Sequence, residues 1–254
     1  MTGVAAGAYL RRYSQPPAPT THLVCFPHAG GSAAAYRGWT ALLPPSVRLT
    51  AIQYSGRQDR MHEVMPASMD ELADEVALAL SRYADPLLLF GHSFGATVAF
   101  EVARRLQRWG PGPVEHLVVS GRPGPRAQPR TAKHLWTDDE IWDDMLRLGG
   151  VDRELAGVPT LRELVLPALR RDYLIIETYG PAPDATVCCP ITAFLGADDP
   201  EVDRGQAEAW ARSTTGAFRL RVFEGAHFYL SARPARVVAE LMSLTRPTPT
   251  PGRD

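Results

Sequence analysis

The stretch Leu87-Leu88-Leu89-Phe90-Gly91-His92-Ser93-Phe94-Gly95 decides how the rest of this chain is read. Pro86–Phe90 is wholly apolar, as a strand buried on both faces of a parallel sheet requires. Gly-x-Ser-x-Gly follows at once, and Phe94–Arg108 then has a helical pattern. A strand that turns sharply at a serine and runs straight into a helix is the nucleophile-elbow arrangement. Glycines on either side let the strand and helix backbones approach closely, and the serine between them sits in a strained turn. The helix points its N-terminus at the same spot, which favours developing negative charge there. Ser93 is therefore the candidate nucleophile. The competing reading is an ordinary tight turn.

Working outward, strand and helix patterns alternate. Apolar runs at His22–Phe26, Val47–Gln53, Val114–Ser120, Pro190–Leu195 and Phe218–Phe223 predict strands. Met69, Leu72, Ala73, Val76, Ala77, Leu80 and Tyr83 recur at spacings of three and four, which predicts a helix over Met69–Tyr83. Asp203–Arg212 and Pro234–Leu244 also read as helices. The alternation implies an α/β domain with a mostly parallel sheet and helices on both faces.

From about 131 to 180 the rhythm breaks. Two helical stretches, Asp138–Leu148 and Leu161–Thr178, stand where a strand is due, the second interrupted by Pro167. An inserted helical lid is the expectation. Trp136, Trp142, Met145 and Tyr173 are its candidate substrate-facing residues, with Leu146, Leu164, Leu169 and Ile176 as further groove candidates. The alternative is that these residues only pack the insert onto the body. Residues 1–20, with Pro16, Pro17 and Pro19, read as a flexible lead-in. Residues 21–245 read as one domain, and 246–254 as a disordered tail.

Composition narrows the class. A 254-residue chain that is 45% hydrophobic can bury a core without staples. A net charge of −1 argues against a general nucleic-acid binder. Three cysteines in apolar surroundings, Cys25 and the adjacent Cys188 and Cys189, make a poor disulfide framework and read as buried thiols. There is no signal-peptide pattern and no eighteen-residue apolar run, so a cytoplasmic monomer without membrane contact is expected. Arg122, Arg126, Arg130 and Lys133 form a basic run leading into the insert. It reads first as a solvated loop and second as a surface for an acidic partner.

A serine hydroxyl needs a base, and the base in turn needs an orienting acid. In this chain order the base follows the last strand. Of seven histidines only His227, in Phe223-Glu-Gly-Ala-His227, stands there. The acid should follow the strand before it, in Gly196-Ala-Asp-Asp-Pro200. Both aspartates are available. The Gly-x-x-Asp spacing favours Asp199, and Asp198 would then cap the turn. Two backbone donors are needed for an oxyanion. Phe94, after the serine, supplies one. Ala29, in the glycine-bearing loop Pro27–Ser32, is the candidate for the other.

Taken together, these motifs resemble the type II thioesterases, the editing enzymes of polyketide and nonribosomal peptide synthesis. The resemblance is carried by Phe26-Pro-His-Ala-Gly-Gly-Ser32, Gln53-Tyr-Ser-Gly-Arg-Gln-Asp-Arg60, Gly91-His-Ser-Phe-Gly-Ala96, Gly196-Ala-Asp-Asp-Pro200 and Phe223-Glu-Gly-Ala-His-Phe228. It runs from about Leu23 to Leu244, with Ser55 where the family often has proline. It implies an α/β-hydrolase fold with a mobile lid. It also implies an acyl substrate on the phosphopantetheine arm of an acyl or peptidyl carrier protein. No metal or organic cofactor is implied, since the substrate itself carries the phosphopantetheine. Three rival readings use the same residues: a small-molecule carboxylesterase or lipase, a non-catalytic binding protein on a hydrolase fold, and a cyclase whose acyl-enzyme is captured by an internal nucleophile.

Overall fold

The computed structural model describes residues 6–110, 114–151, 154 and 157–245. The tail expected over 246–254 lies outside the described residues. The described strands are β1 (Leu10–Ser14), β2 (Thr21–Phe26), β3 (Val47–Ile52), β4 (Leu87–His92), β5 (Val114–Ser120), β6 (Ile191–Gly196) and β7 (Phe218–Phe223). They form one seven-stranded sheet in the order β1-β3-β2-β4-β5-β6-β7. β1 is antiparallel to β3 and every other pair is parallel. The fold is of the α/β-hydrolase type.

The central strands bury both faces because their side chains alternate between two cores. Val24 and Phe26 of β2 and Leu87 and Leu89 of β4 point into one core. There they meet α1 (Met69–Leu80) and α2 (Phe94–Trp109). Leu23, Cys25, Leu88 and Phe90 point the other way, onto Tyr36 and Trp39 and the helix Pro234–Ser243. Each such leucine or phenylalanine contributes about 1.5–3 kcal/mol of burial. Helix α1 starts where Ser68 Oγ accepts the Glu71 N–H at 3.2 Å.

Three expectations need correcting. The lead-in is not loose over its described part. Leu10–Ser14 is an edge strand, with its first residue Leu10 buried and Tyr9 buried just ahead of it. The prolines lie in the connection after that strand, so they mark its end. Pro167 does not interrupt its helix, which the structure runs unbroken over Pro159–Thr178. Proline removes one helical hydrogen bond, but Leu166, Ala168, Leu169, Ile175 and Ile176 anchor the helix on both sides by burial. Cys188 is exposed, whereas Cys25 and Cys189 are buried; none of the three is in a disulfide.

The insert emerges between β5 and β6. Its helices α3 (Asp138–Leu148) and α4 (Pro159–Thr178) share a small core of Ile141, Trp142, Met145, Leu166 and Leu169. Thr137 and Glu140 form a reciprocal capping box at the start of α3.

Candidate active site

Ser93 stands between β4 and α2 with φ 53° and ψ −120°, a conformation that a non-glycine residue adopts only under constraint. The constraint is visible in its neighbours. A Cβ on Gly91 would lie 2.2 Å from the Gly95 carbonyl oxygen, and one on Gly95 would lie 2.1 Å from that of Phe26. Both glycines are therefore demanded by backbone-to-backbone contact. The Ser93 N–H donates to the Ser120 carbonyl at 2.7 Å, tying the turn to β5.

His227 follows β7 and is 3% exposed. Its Nδ1 lies 2.9 and 3.0 Å from the two carboxylate oxygens of Asp199, in the loop after β6. A carboxylate can only accept, so Nδ1 is the donor, and in the neutral imidazole Nε2 then carries the lone pair. Asp199 Oδ1 also accepts the Glu201 N–H at 2.9 Å, which fixes the carboxylate from the other side. Asp198 is exposed, and its N–H donates to the Gly225 carbonyl at 3.0 Å. Of the two aspartates left open by sequence, Asp199 is the one that holds the imidazole.

Ser93, His227, Ala29 and Phe94 all line one cavity of about 490 Å³. In the loop around Ala29 the neighbouring amides are committed elsewhere: Gly30 N–H to Asp172 Oδ2 at 2.8 Å, Gly31 N–H to the His28 carbonyl at 3.0 Å. Two further histidines flank the site. His92 packs against His227 with ring centroids 4.9 Å apart, and its Nδ1 pairs with Ser120 Oγ at 2.9 Å. Burial holds it neutral, well below the usual imidazole range. Burial, and then the nearby His227 and Arg57, pull His28 down to about 3.

The insert supplies the opposite wall through Met145, Leu169, Tyr173 and Ile176. Two of the four substrate-facing candidates, Met145 and Tyr173, are thus brought to the cavity and two are not. Trp142 is buried in the insert's own core. Trp136 lies at the surface over Lys133 Nζ. Leu164 is exposed as well. Helical spacing alone does not say which apolar positions face the body and which face the sister helix.

Asp172 is the residue sequence reasoning missed. It is 2% exposed. Its carboxylate receives both ends of the Arg57 guanidinium, at 2.8 and 3.0 Å, besides the Gly30 N–H. Arg57 also donates to the Gly31 carbonyl at 3.0 Å. The insert helix is therefore bolted to the loop that carries Ala29, through the Gln53–Arg60 segment. A signal was present. Asp172 falls on the apolar stripe of α4, three residues from both Leu169 and Ile175, where an acid needs a partner.

The basic run is divided by the structure. Lys133 Nζ is held by Asp144 at 2.8 Å and Glu201 at 3.0 Å, so it is not free for an outside partner. Arg122, Arg126 and Arg130 border the cavity, the last two at exposed positions.

Comparison with known proteins completes the assignment. The chain matches the thioesterase domain over residues 21–244 and belongs to that family, whose members are hydrolases of thioesters. It is 41% identical over 243 residues to a probable cadicidin biosynthesis thioesterase of Streptomyces griseus, covering 95% of this chain and 67% of that protein. It is 42% identical over 231 residues to thioesterase PikA5 of Streptomyces venezuelae, covering 90% and 82%. The structure of the type II thioesterase BorB from the borrelidin biosynthetic cluster superposes with a TM-score of 0.86 at 38% identity, covering 97% of this chain and 100% of that one. The chain is thus an enzyme of the type II thioesterase kind found in polyketide and nonribosomal peptide pathways.

Proposed function

We propose that the protein hydrolyses acyl groups, short stalled or aberrant ones, from the phosphopantetheine arm of acyl or peptidyl carrier proteins, through an ester on Ser93. The observation that carries this reading is the oriented His227–Asp199 pair opening into the same cavity as the strained Ser93. Ser93 Oγ attacks the thioester carbonyl while His227 Nε2 takes its proton. Asp199 keeps the imidazole in the tautomer that can do so and stabilises the imidazolium. The Phe94 and Ala29 N–H groups receive the oxyanion; the commitment of Gly30 and Gly31 to other acceptors supports Ala29 as the loop donor. His227 returns the proton to the departing thiolate. Water then attacks the acyl-Ser93 ester by the same path in reverse, releasing the acid and restoring Ser93. The insert serves as the lid over the acyl chamber, with Leu169 and Ile176 taking the hydrocarbon.

The rival within the same chemistry is a small-molecule esterase. The deciding measurement is kcat/KM on an acyl-loaded carrier protein against a matched free p-nitrophenyl ester. A clear preference for the carrier thioester is expected, and equal rates would overturn the carrier assignment. A non-catalytic binding role is tested by a fluorophosphonate probe. Labelling that is absent, or that survives Ser93→Ala, would overturn the enzymatic reading.

A further inference from the structure

Arg122 lies just past the C-terminal end of β5. Its backbone is fixed: the preceding Gly121 N–H donates to the Phe194 carbonyl at 3.0 Å, and the Arg122 carbonyl accepts from the indole of fully buried Trp210 at 2.8 Å. Its side chain enters the wall of the cavity that holds Ser93 and His227.

The electrostatics there are unusual for this molecule. Arg57, Arg60, Arg104 and Arg105, the buried arginines, are each ion-paired to a carboxylate. Arg122 Nε is sealed from solvent without a hydrogen-bond partner, and its guanidinium joins no ion pair among the described residues. The acids whose charge it feels, Glu201 and Glu177, are already engaged. Glu201 holds Lys133 and Arg147, and Glu177 holds His134 and the Thr131 hydroxyl. Burial pulls the guanidinium down to about 10, so it still carries its charge at neutral pH. Arg122 as a whole is only half-buried and lines the cavity, so its sealed Nε–H without an acceptor is the costly feature that calls for an explanation.

We propose that Arg122 is a specificity-determining residue that binds an acceptor oxygen on the acyl group itself, beyond the thioester carbonyl: a β-keto, β-hydroxy or carboxylate oxygen. The enzyme then discriminates oxygenated acyl groups from plain alkyl ones of the same length. A guanidinium suits this task because its fork can donate two parallel hydrogen bonds to a carboxylate or one to a neutral oxygen. Met145, Leu169 and Ile176, which line the same cavity, offer apolar surface to the remaining hydrocarbon. The inference rests on the thioesterase reading above.

The test compares wild type, Arg122→Met and Arg122→Lys on butyryl, acetoacetyl, 3-hydroxybutyryl and malonyl thioesters on the phosphopantetheine of one carrier protein. Kd for the same four is measured with each residue at 122 in a Ser93→Ala background, where nothing turns over. The expected result is an oxygenated-to-butyryl preference that falls about tenfold or more in Arg122→Met, the scale of a hydrogen bond to a charged group. Arg122→Lys keeps part of it. The largest fall on malonyl identifies a carboxylate ligand, and the largest on the other two a neutral oxygen. Unchanged ratios overturn the inference. So does an equal loss on all four thioesters, which would make Arg122 a structural prop or a contact to the pantetheine arm. Should Arg122→Met fail to fold, as judged by circular dichroism and Ser93 labelling, Arg122→Lys and Arg122→Gln carry the same comparison. Wild type that turns over none of the four defeats the thioesterase reading, while the Kd comparison still decides the role of Arg122.

Discussion

The sheet body and the helical insert are held together by different forces. The body is a layered apolar structure in which alternate residues of each strand feed two cores. Ser93, Asp199 and His227 stand just beyond the C-terminal ends of β4, β6 and β7, and their relative placement follows from strand register. The insert has only a small core of its own. Its grip on the body combines Ile175 and Ile176, which enter the body's core at the end of α4, with ion pairs further out: Asp172 to Arg57, and the Lys133–Asp144–Arg147 group to Glu201. The proposed chemistry is thus built on the sheet body. Access and acyl fit depend on the part clamped by charges, where a single substitution can loosen the contact.

The sharpest way to test this division is to remove the reacting groups. Ser93→Ala and His227→Ala should each abolish turnover, by at least about 10⁴-fold in kcat/KM, with circular dichroism and Tm near wild type. Activity that survives either change would move the chemistry away from the strand ends. Asp199→Asn is the next largest. It should cost about 10⁴-fold in kcat because the imidazole loses its tautomer. Asp198→Asn, at an exposed turn position, is the matched control and should be close to wild type. The reverse pattern would reassign the acid.

The clamp comes next. Asp172→Asn leaves Arg57 buried with a neutral partner, and about 3–5 kcal/mol of stability should be lost in urea unfolding. kcat should fall with it, because the loop carrying Ala29 loses its anchor. Full stability and full kcat together would show that the insert's charges do not matter to the body. The smallest effect belongs to the insert wall. Leu169→Ala should shift the acyl-length profile by about tenfold between short and long chains, in keeping with the loss of a few methylenes from an apolar pocket. Ser93 labelling serves as the readout of triad reactivity in that experiment. An unchanged profile would end the lid reading.

Legibility followed the strength of each local burial pattern, not the boundary between body and insert. Val114–Ser120, Phe218–Phe223 and Asp138–Leu148 have the bounds their patterns predict, because an apolar run or stripe of the right period has one good way to be buried. Ser93 and His227 were readable from local motifs in chain order. The edge strand Leu10–Ser14 was hidden by the prolines after it, since an edge strand has less apolar content to announce it. Trp136 and Trp142 were assigned to the cavity on composition, yet one faces solvent and the other the sister helix. That choice depends on helix rotation, which sequence period leaves open.

By itself, then, the sequence determined the parallel strands of the sheet, the elbow and the chain order of the proposed triad, because each rests on contacts between near neighbours in the chain or on a repeating burial pattern. Only the tertiary structure decided between Asp198 and Asp199, joined Asp172 to Arg57 across 115 positions of sequence, and left Arg122 Nε in the cavity wall without a hydrogen-bond partner among the described residues. Those outcomes turn on which charged groups the packed chain brings within hydrogen-bond distance. No local pattern encodes that distance, because it is set by the whole sheet and the helices laid on it.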